Sequence, residues 1–168
     1  DLWDSGKVAS DQSIHVGYAG RPLTSRTCCY WKVRIWDADD KASPFSDIAL
    51  WDMGLLTPDD WKARWISAPG KDDDKSPQPA PLFRKSFILS ERPAIARLYI
   101  CGLGYHELRL NGEKVGDHVL DPAFTRYDKR ALYVTHDVTR QLRKGSNALG
   151  VILGNGWYNM HTRCVWDF

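Results

Sequence analysis

Strict alternation of apolar and polar positions first appears in "YWKVRIW", where Trp31, Val33 and Ile35 fall on one side and Tyr30, Lys32, Arg34 and Trp36 on the other. A period of two marks a β-strand with one face buried, so the stretch predicts a half-buried strand. The Asp-, Ser- and Pro-rich "DADDKASP" then predicts a turn. A second short strand is expected from Ile48 to Trp51. At "TPDD" the alternation stops. Thr57 caps and Pro58 suits a first helical position, so a single helical turn is expected there. Gly70 to Pro81 is charged, Pro-rich and without periodicity, which predicts an exposed loop. The acidic run Asp72, Asp73, Asp74 lacks the fixed ligand ladder of a calcium loop and reads as part of that loop.

From Pro81 onward strand patterns dominate. "LFRKSFIL" alternates, and "AIARLYICGLG" and "YHELRLNGEKVGD" follow. Asn111-Gly112 between two strand-like runs is a strong hairpin signal. "RALYVTHDVTRQLRKGSNALGVILGNGW" predicts a strand, a short helix over Val138 to Lys144 stopped by Gly145, and a long buried strand. No long helix separates candidate parallel strands. The expected class is therefore all-β, with a jelly-roll or galactose-binding-like β-sandwich in the second half.

Composition narrows the function more than the fold. The chain has 168 residues, 43% apolar and 26% charged, with a net charge of +2. Such a small charge does not predict nucleic acid or an acidic membrane as partner. No apolar run approaches the roughly 20 residues of a spanning helix. "DLWDSGKVAS" has no basic and apolar leader pattern, and its abrupt start suggests a piece of a longer chain. Cys28, Cys29, Cys101 and Cys164 show no CxxC spacing, and four free, mostly buried thiols are expected. Adjacent Cys28 and Cys29 point to opposite faces of a strand. The compartment stays open.

Gly154-Asn155-Gly156 and Gly102-Leu103-Gly104 invite comparison with phosphate-binding loops. Those loops feed directly into a helix whose N-terminus holds the phosphate. Here one leads into Trp-Tyr-Asn-Met-His and the other into a strand, so nucleotide binding is rejected. His106, His118, His136 and His161 show no ligand spacing and are expected to be packing or solvated residues. Asp117 and Asp121 flank an expected turn.

Six short motifs in order carry a family resemblance. They are Gly102 to Glu107, Asn111-Gly112, Val115-Gly116-Asp117, Leu120 to Thr125, Tyr127-Asp128 and Leu153 to Tyr158. Together the set resembles the N-terminal β-sandwich region of bacterial α-L-rhamnosidases, which are glycoside hydrolases. The alternating front strand, its turn and "SPFS" also resemble the closing half of a fibronectin type III-like sandwich. The resemblance implies residues 1–56 as the C-terminal part of a fibronectin III-like domain, 57–81 as a linker, and 82–168 as the rhamnosidase N-terminal sandwich, truncated at its end. It implies a parent enzyme that removes terminal α-L-rhamnose with inversion, through carboxylates of a downstream helical (α/α) toroid. No residue here matches that catalytic motif, so this stretch is expected to be non-catalytic.

In some relatives, the resemblance further implies, such a sandwich holds rhamnose through calcium. Calcium takes oxygen ligands from flexible turns. Asn111, Asn155 and Asn159 are the candidate donors, and Trp157 is the candidate sugar-stacking plate, with Tyr158 beside it; core packing is the expectation for at least one of the two, since adjacent strand residues face opposite ways. A purely structural role for both turns stands next to that reading. Asn-Gly suits a type I′ turn without any ligand, and Gly-Asn-Gly ends a strand well. A free-standing carbohydrate-binding module and a structural spacer are the alternatives to an enzyme's accessory region.

Overall fold

The computed structural model describes residues 1–69 and 79–159. The acidic run Asp72 to Asp74, His161 and Cys164 lie outside the described residues. The chain forms two compact units, 1–65 and 66–168. Among the described residues there is no α-helix, and every strand pair is antiparallel.

In the first unit β1 (Cys28–Trp31) pairs with β2 (Ala49–Asp52), with Cys29 opposite Trp51. Cys29 is buried and Cys28 exposed, as alternation along a strand requires. Beyond Trp31 the ladder changes character. Val33 and Ile35 donate their N–H groups to the hydroxyls of Ser46 and Ser43, at 3.1 Å each. Their carbonyls accept from the backbone N–H groups of the same two serines. The expected buried face does not form: Trp31, Val33 and Ile35 are all exposed. On this face Cys29 alone is covered; no strand precedes Cys28 among the described residues to extend that cover over Trp31, Val33 and Ile35. The helical turn at Thr57 is present as a 3₁₀ turn over Pro58–Asp60. Asp60 turns its carboxylate back to the Thr57 N–H at 3.0 Å and takes the Ser25 hydroxyl at 2.5 Å.

The second unit is a small sandwich. One sheet has the order β3 (Leu82–Leu89), β8 (Gly145–Gly154), β5 (Tyr105–Leu110), β6 (Glu113–Lys114). The other pairs β4 (Arg97–Ile100) with β7 (Val134–Asp137). Alternation sends Leu108 and Leu110 inward, where they form the core with Val115 and Val138. Leu98 and Ile100 from the second sheet and Phe87, Leu149 and Val151 from the first close around them. The β5–β6 hairpin turns on Asn111 and Gly112, with φ of +55° and +91°. Positive φ at both central residues is the type I′ geometry that favours Asn-Gly.

The helix expected over Val138 to Lys144 is not there; one turn bonded to the Val138 carbonyl stands in its place. Side chains claim the backbone groups a helix would use. The Asp137 carboxylate accepts from the Thr139 N–H, Asn147 Oδ1 accepts from the Arg143 N–H, and Asn147 Nδ2 donates to the carbonyls of Arg143 and Gly145. Asn111 Nδ2 donates to the Gln141 carbonyl at 2.9 Å. Asx-type bonds of this kind compete with helix formation.

Candidate functional site

Asn111 and Asn155 do not meet. Asn111 follows the last residue of β5 and bonds to Ala148, whereas Asn155 follows Gly154, which lies opposite Tyr105 at the start of β5. Six residues of strand separate the two positions, roughly 20 Å at about 3.4 Å per residue. Asn111 is also occupied. Its amide nitrogen serves Gln141 and Asn147, and its oxygen accepts from the Ala148 N–H at 2.9 Å.

The Gly-rich turn at the other end is a backbone crossing. A Cβ on Gly104 would stand 2.5 Å from the carbonyl oxygens of both Gly154 and Asn155, and Gly104 has φ +89°. A Cβ on Gly156 would stand 2.8 Å from the Gly104 Cα. The glycines of "GLG" and "GNG" are thus there to let two chain segments touch. Asn159 closes the turn, its N–H on the Asn155 carbonyl at 3.2 Å and its side chain near the Asn155 oxygen at 3.3 Å.

Past that crossing the two aromatics emerge on the surface. Trp157 and Tyr158 are 43% and 55% exposed, so neither enters the core. Each has a ring partner from the segment that follows β6. Phe124 lies tilted against Trp157 at 5.4 Å between centroids, and Tyr127 meets Tyr158 edge to face at 5.4 Å. Phe124 is itself 55% exposed. Three sequence motifs, Leu120 to Thr125, Tyr127-Asp128 and Leu153 to Tyr158, therefore meet in one surface. Paired aromatics next to polar groups suit the C–H-rich face of a sugar, with hydrogen bonds from the surroundings. Arg126 and Asp128 pair with each other there at 2.9 and 3.1 Å. Phe124 and Tyr127 were not singled out by sequence; their motif spacing was visible but not their contact with Trp157 and Tyr158.

The histidines are not scattered. His106 on β5, His136 on β7 and His118 from the turn after β6 converge, with centroids 6.4 Å apart for His106–His136 and 5.5 Å for His118–His136. Three separate elements bring them together, so no local spacing could reveal the cluster. No group of three His, Cys, Asp or Glu side chains among the described residues is arranged to hold a metal ion. The carboxylates with displaced pKa values all move downward. Hydrogen bonds from Ser25 and Thr57 hold Asp60 at about 2, and those from Thr139 lower Asp137. Of the free thiols, Cys29 is buried, Cys101 is partly buried and Cys28 is exposed.

Residues 91–166 match the family model described as the α-L-rhamnosidase N-terminal domain. Residues 1–57 match the model described as the Rha78A-like N-terminal immunoglobulin domain. An α-L-rhamnosidase of Formosa agariphila is 43% identical over 96% of this chain and 19% of its own length. Among solved structures, an α-L-rhamnosidase from Dictyoglumus thermophilum is 45% identical, with a TM-score of 0.84 over 94% of this chain and 19% of that one. The native enzyme from Aspergillus terreus is 39% identical, with a TM-score of 0.74 over 83% and 16%. The chain thus spans less than a fifth of the length of these relatives.

Proposed function

Because residues 91–166 belong to the α-L-rhamnosidase N-terminal domain family and residues 1–57 to the Rha78A-like N-terminal immunoglobulin family, we propose that this chain serves as the accessory region of a glycosidase that removes terminal α-L-rhamnose. The observation that carries the reading is identity of 43–45% over nearly the whole chain with proteins named α-L-rhamnosidase. Hydrolysis with inversion needs two carboxyl groups about 6.5–9.5 Å apart, one of them with a raised pKa. In this reading the catalytic work belongs to an (α/α) toroid domain of the same parent chain, which the sandwich supports.

The exposed pairs Phe124–Trp157 and Tyr127–Tyr158 favour a second task, contact with rhamnose-containing carbohydrate. Rhamnose carries an apolar methyl group, and its ring can lie on an aromatic plate. A free-standing binding module would use the same surface.

One pair of assays tests the proposal. Nitrophenyl α-L-rhamnoside is offered to the 168-residue chain and to the product of the whole reading frame that contains it. The chain alone should release no nitrophenol and the whole product should, with the β-anomer of rhamnose appearing first by NMR. Turnover by the chain alone, or a first product of α configuration, overturns the corresponding part.

A further inference from the structure

The second unit brings together three imidazoles for which the proposed function has no use: His136 buried, His106 partly buried and His118 exposed. His136 is 7% exposed, and its Nε2 has no hydrogen-bond partner. The buried Nδ1 of His106 is also without one. The charged groups facing the cluster are Glu107 from β5, Lys114 from β6 and Asp121 from the turn that carries His118. Asp121 Oδ2 already lies 2.5 Å from His118 Nδ1. Glu107 already bonds Arg109 at 2.9 Å. The Lys114 ammonium donates to the His118 carbonyl at 2.8 Å. A proton on His106 or His136 would therefore place a partly buried cation beside the other imidazoles, while Asp121, the carboxylate that would favour it, is already paired with His118.

The same residues fasten one segment of chain. The His106 N–H bonds the Asp121 carbonyl at 2.8 Å. Gly116 lies against the His136 ring, where an added Cβ would be 3.4 Å from Nδ1. Residues 116–121 are thus held between β5 and β7, and they lead directly to Phe124.

We propose that His106 and His136, with His118 as their exposed neighbour, form a proton-sensitive latch: when both inner rings are neutral it holds residues 116–124 against β5 and β7, and when they are protonated it releases them. Release takes Phe124 away from Trp157 and dismantles the paired aromatic surface. The latch stands without the carbohydrate reading; only the consequence for sugar contact rests on it.

Burial, and then the neighbouring imidazoles, lower the pKa of both inner histidines from the ordinary 6.5. The folded form therefore prefers the neutral ring. Its stability is fully present above 6.5 and is lost as pH falls through the depressed folded values.

The test is thermal melting of the 168-residue chain between about pH 8 and about pH 5, the range in which histidine changes charge. The second unit should lose roughly 4–8 °C toward the acid end. His118→Gln sits at an exposed position, removes one neighbouring charge and should shrink that loss. His136→Gln should shrink it further if it folds, and His118→Gln carries the test if it does not. In NMR titrations of the unmodified chain the inner two rings should titrate below 6.5, and the His106 amide should exchange faster in acid after correction for intrinsic rate. Three ordinary titrations, a flat melting profile, or an unchanged loss in His118→Gln overturns the latch. The sugar-binding assay is scored separately, so a failed carbohydrate reading and a failed latch remain distinguishable.

Discussion

Asn111 donates its side-chain amide to the Oδ1 of Asn147 at 2.9 Å, across 36 residues of sequence, and Asn147 is 1% exposed. Between them the two amides serve the backbone of Gln141, Arg143, Gly145 and Ala148. Polar side chains thus hold the backbone of the irregular turn between β7 and β8, while its Val138 and Leu142 pack into the core.

Asn147→Ala strips that turn of its partners. Each buried group left without a hydrogen bond costs about 1–3 kcal/mol, and part of the turn can rehydrate. The expected loss for the second unit is about 2–4 kcal/mol by urea titration. A loss below about 0.5 kcal/mol, the scatter of ordinary surface changes, would show that water replaces the network.

Gly104→Ala meets two faults at once. The φ of +89° disfavours any Cβ, and that Cβ would collide with backbone at 2.5 Å. Backbone cannot swing aside as a side chain can. A destabilisation of about 3 kcal/mol or more, or failure to accumulate as soluble protein, is expected. A variant that melts within a degree or so of the unmodified chain would refute the crossing.

Acid should open the first unit through Asp60. Its folded pKa of about 2, against an ordinary 3.8, means that its stabilising bonds are complete above 3.8 and are lost as pH falls toward 2. Asp60→Asn should lower the melting temperature of the first unit at neutral pH and flatten its pH dependence in that acid window. Circular dichroism melts at several acid pH values check both, and an unaltered acid profile in the variant would assign the dependence to other carboxylates.

Trp157→Ala and Phe124→Ala should each weaken binding of a rhamnose-rich polysaccharide about tenfold or more. One aromatic contact is worth about 0.5–1.5 kcal/mol beyond its area, and 1.4 kcal/mol is tenfold. Both rings are half exposed, so the melting temperature should hardly move. Added calcium should leave melting unchanged, because a ligand stabilises only by binding the native state and Asn111 already has protein partners. Affinity electrophoresis against the polysaccharide and a calcium-dependent melt decide these points.

Local pattern and distant contact were legible to different degrees. The Asn111-Gly112 hairpin and the turn at Thr57 were readable because their chemistry lies within four residues. The strand β5 was readable as a strand-like run before the hairpin, though its inward face was not. The exposure of Val33 and Ile35 was not readable, because alternation predicts which side a residue takes but not whether anything covers that side. Val138 to Lys144 failed as a helix for a related reason. The groups that compete for its backbone, Asn111 and Asn147, come from outside the segment. Trp157 stands out in the sequence as a candidate sugar-stacking residue, but its pairing with Phe124 and the meeting of His106, His118 and His136 depend on the closed sandwich.

Asparagine followed by glycine is the dipeptide most prone to spontaneous deamidation, because the next backbone nitrogen can attack the side-chain carbonyl. Asn111 stands before Gly112, yet its amide is held from both ends by Gln141, Asn147 and Ala148. Attack requires that grip to open. The folded chain therefore protects this one of its two Asn-Gly dipeptides, the other being Asn155-Gly156, and the unfolded chain does not. Once converted to aspartate, residue 111 would face the oxygens of Gln141 and Asn147 with a negative charge, and refolding would be impaired. Stored protein would then carry a chemical record, at this one position, of the time it has spent unfolded.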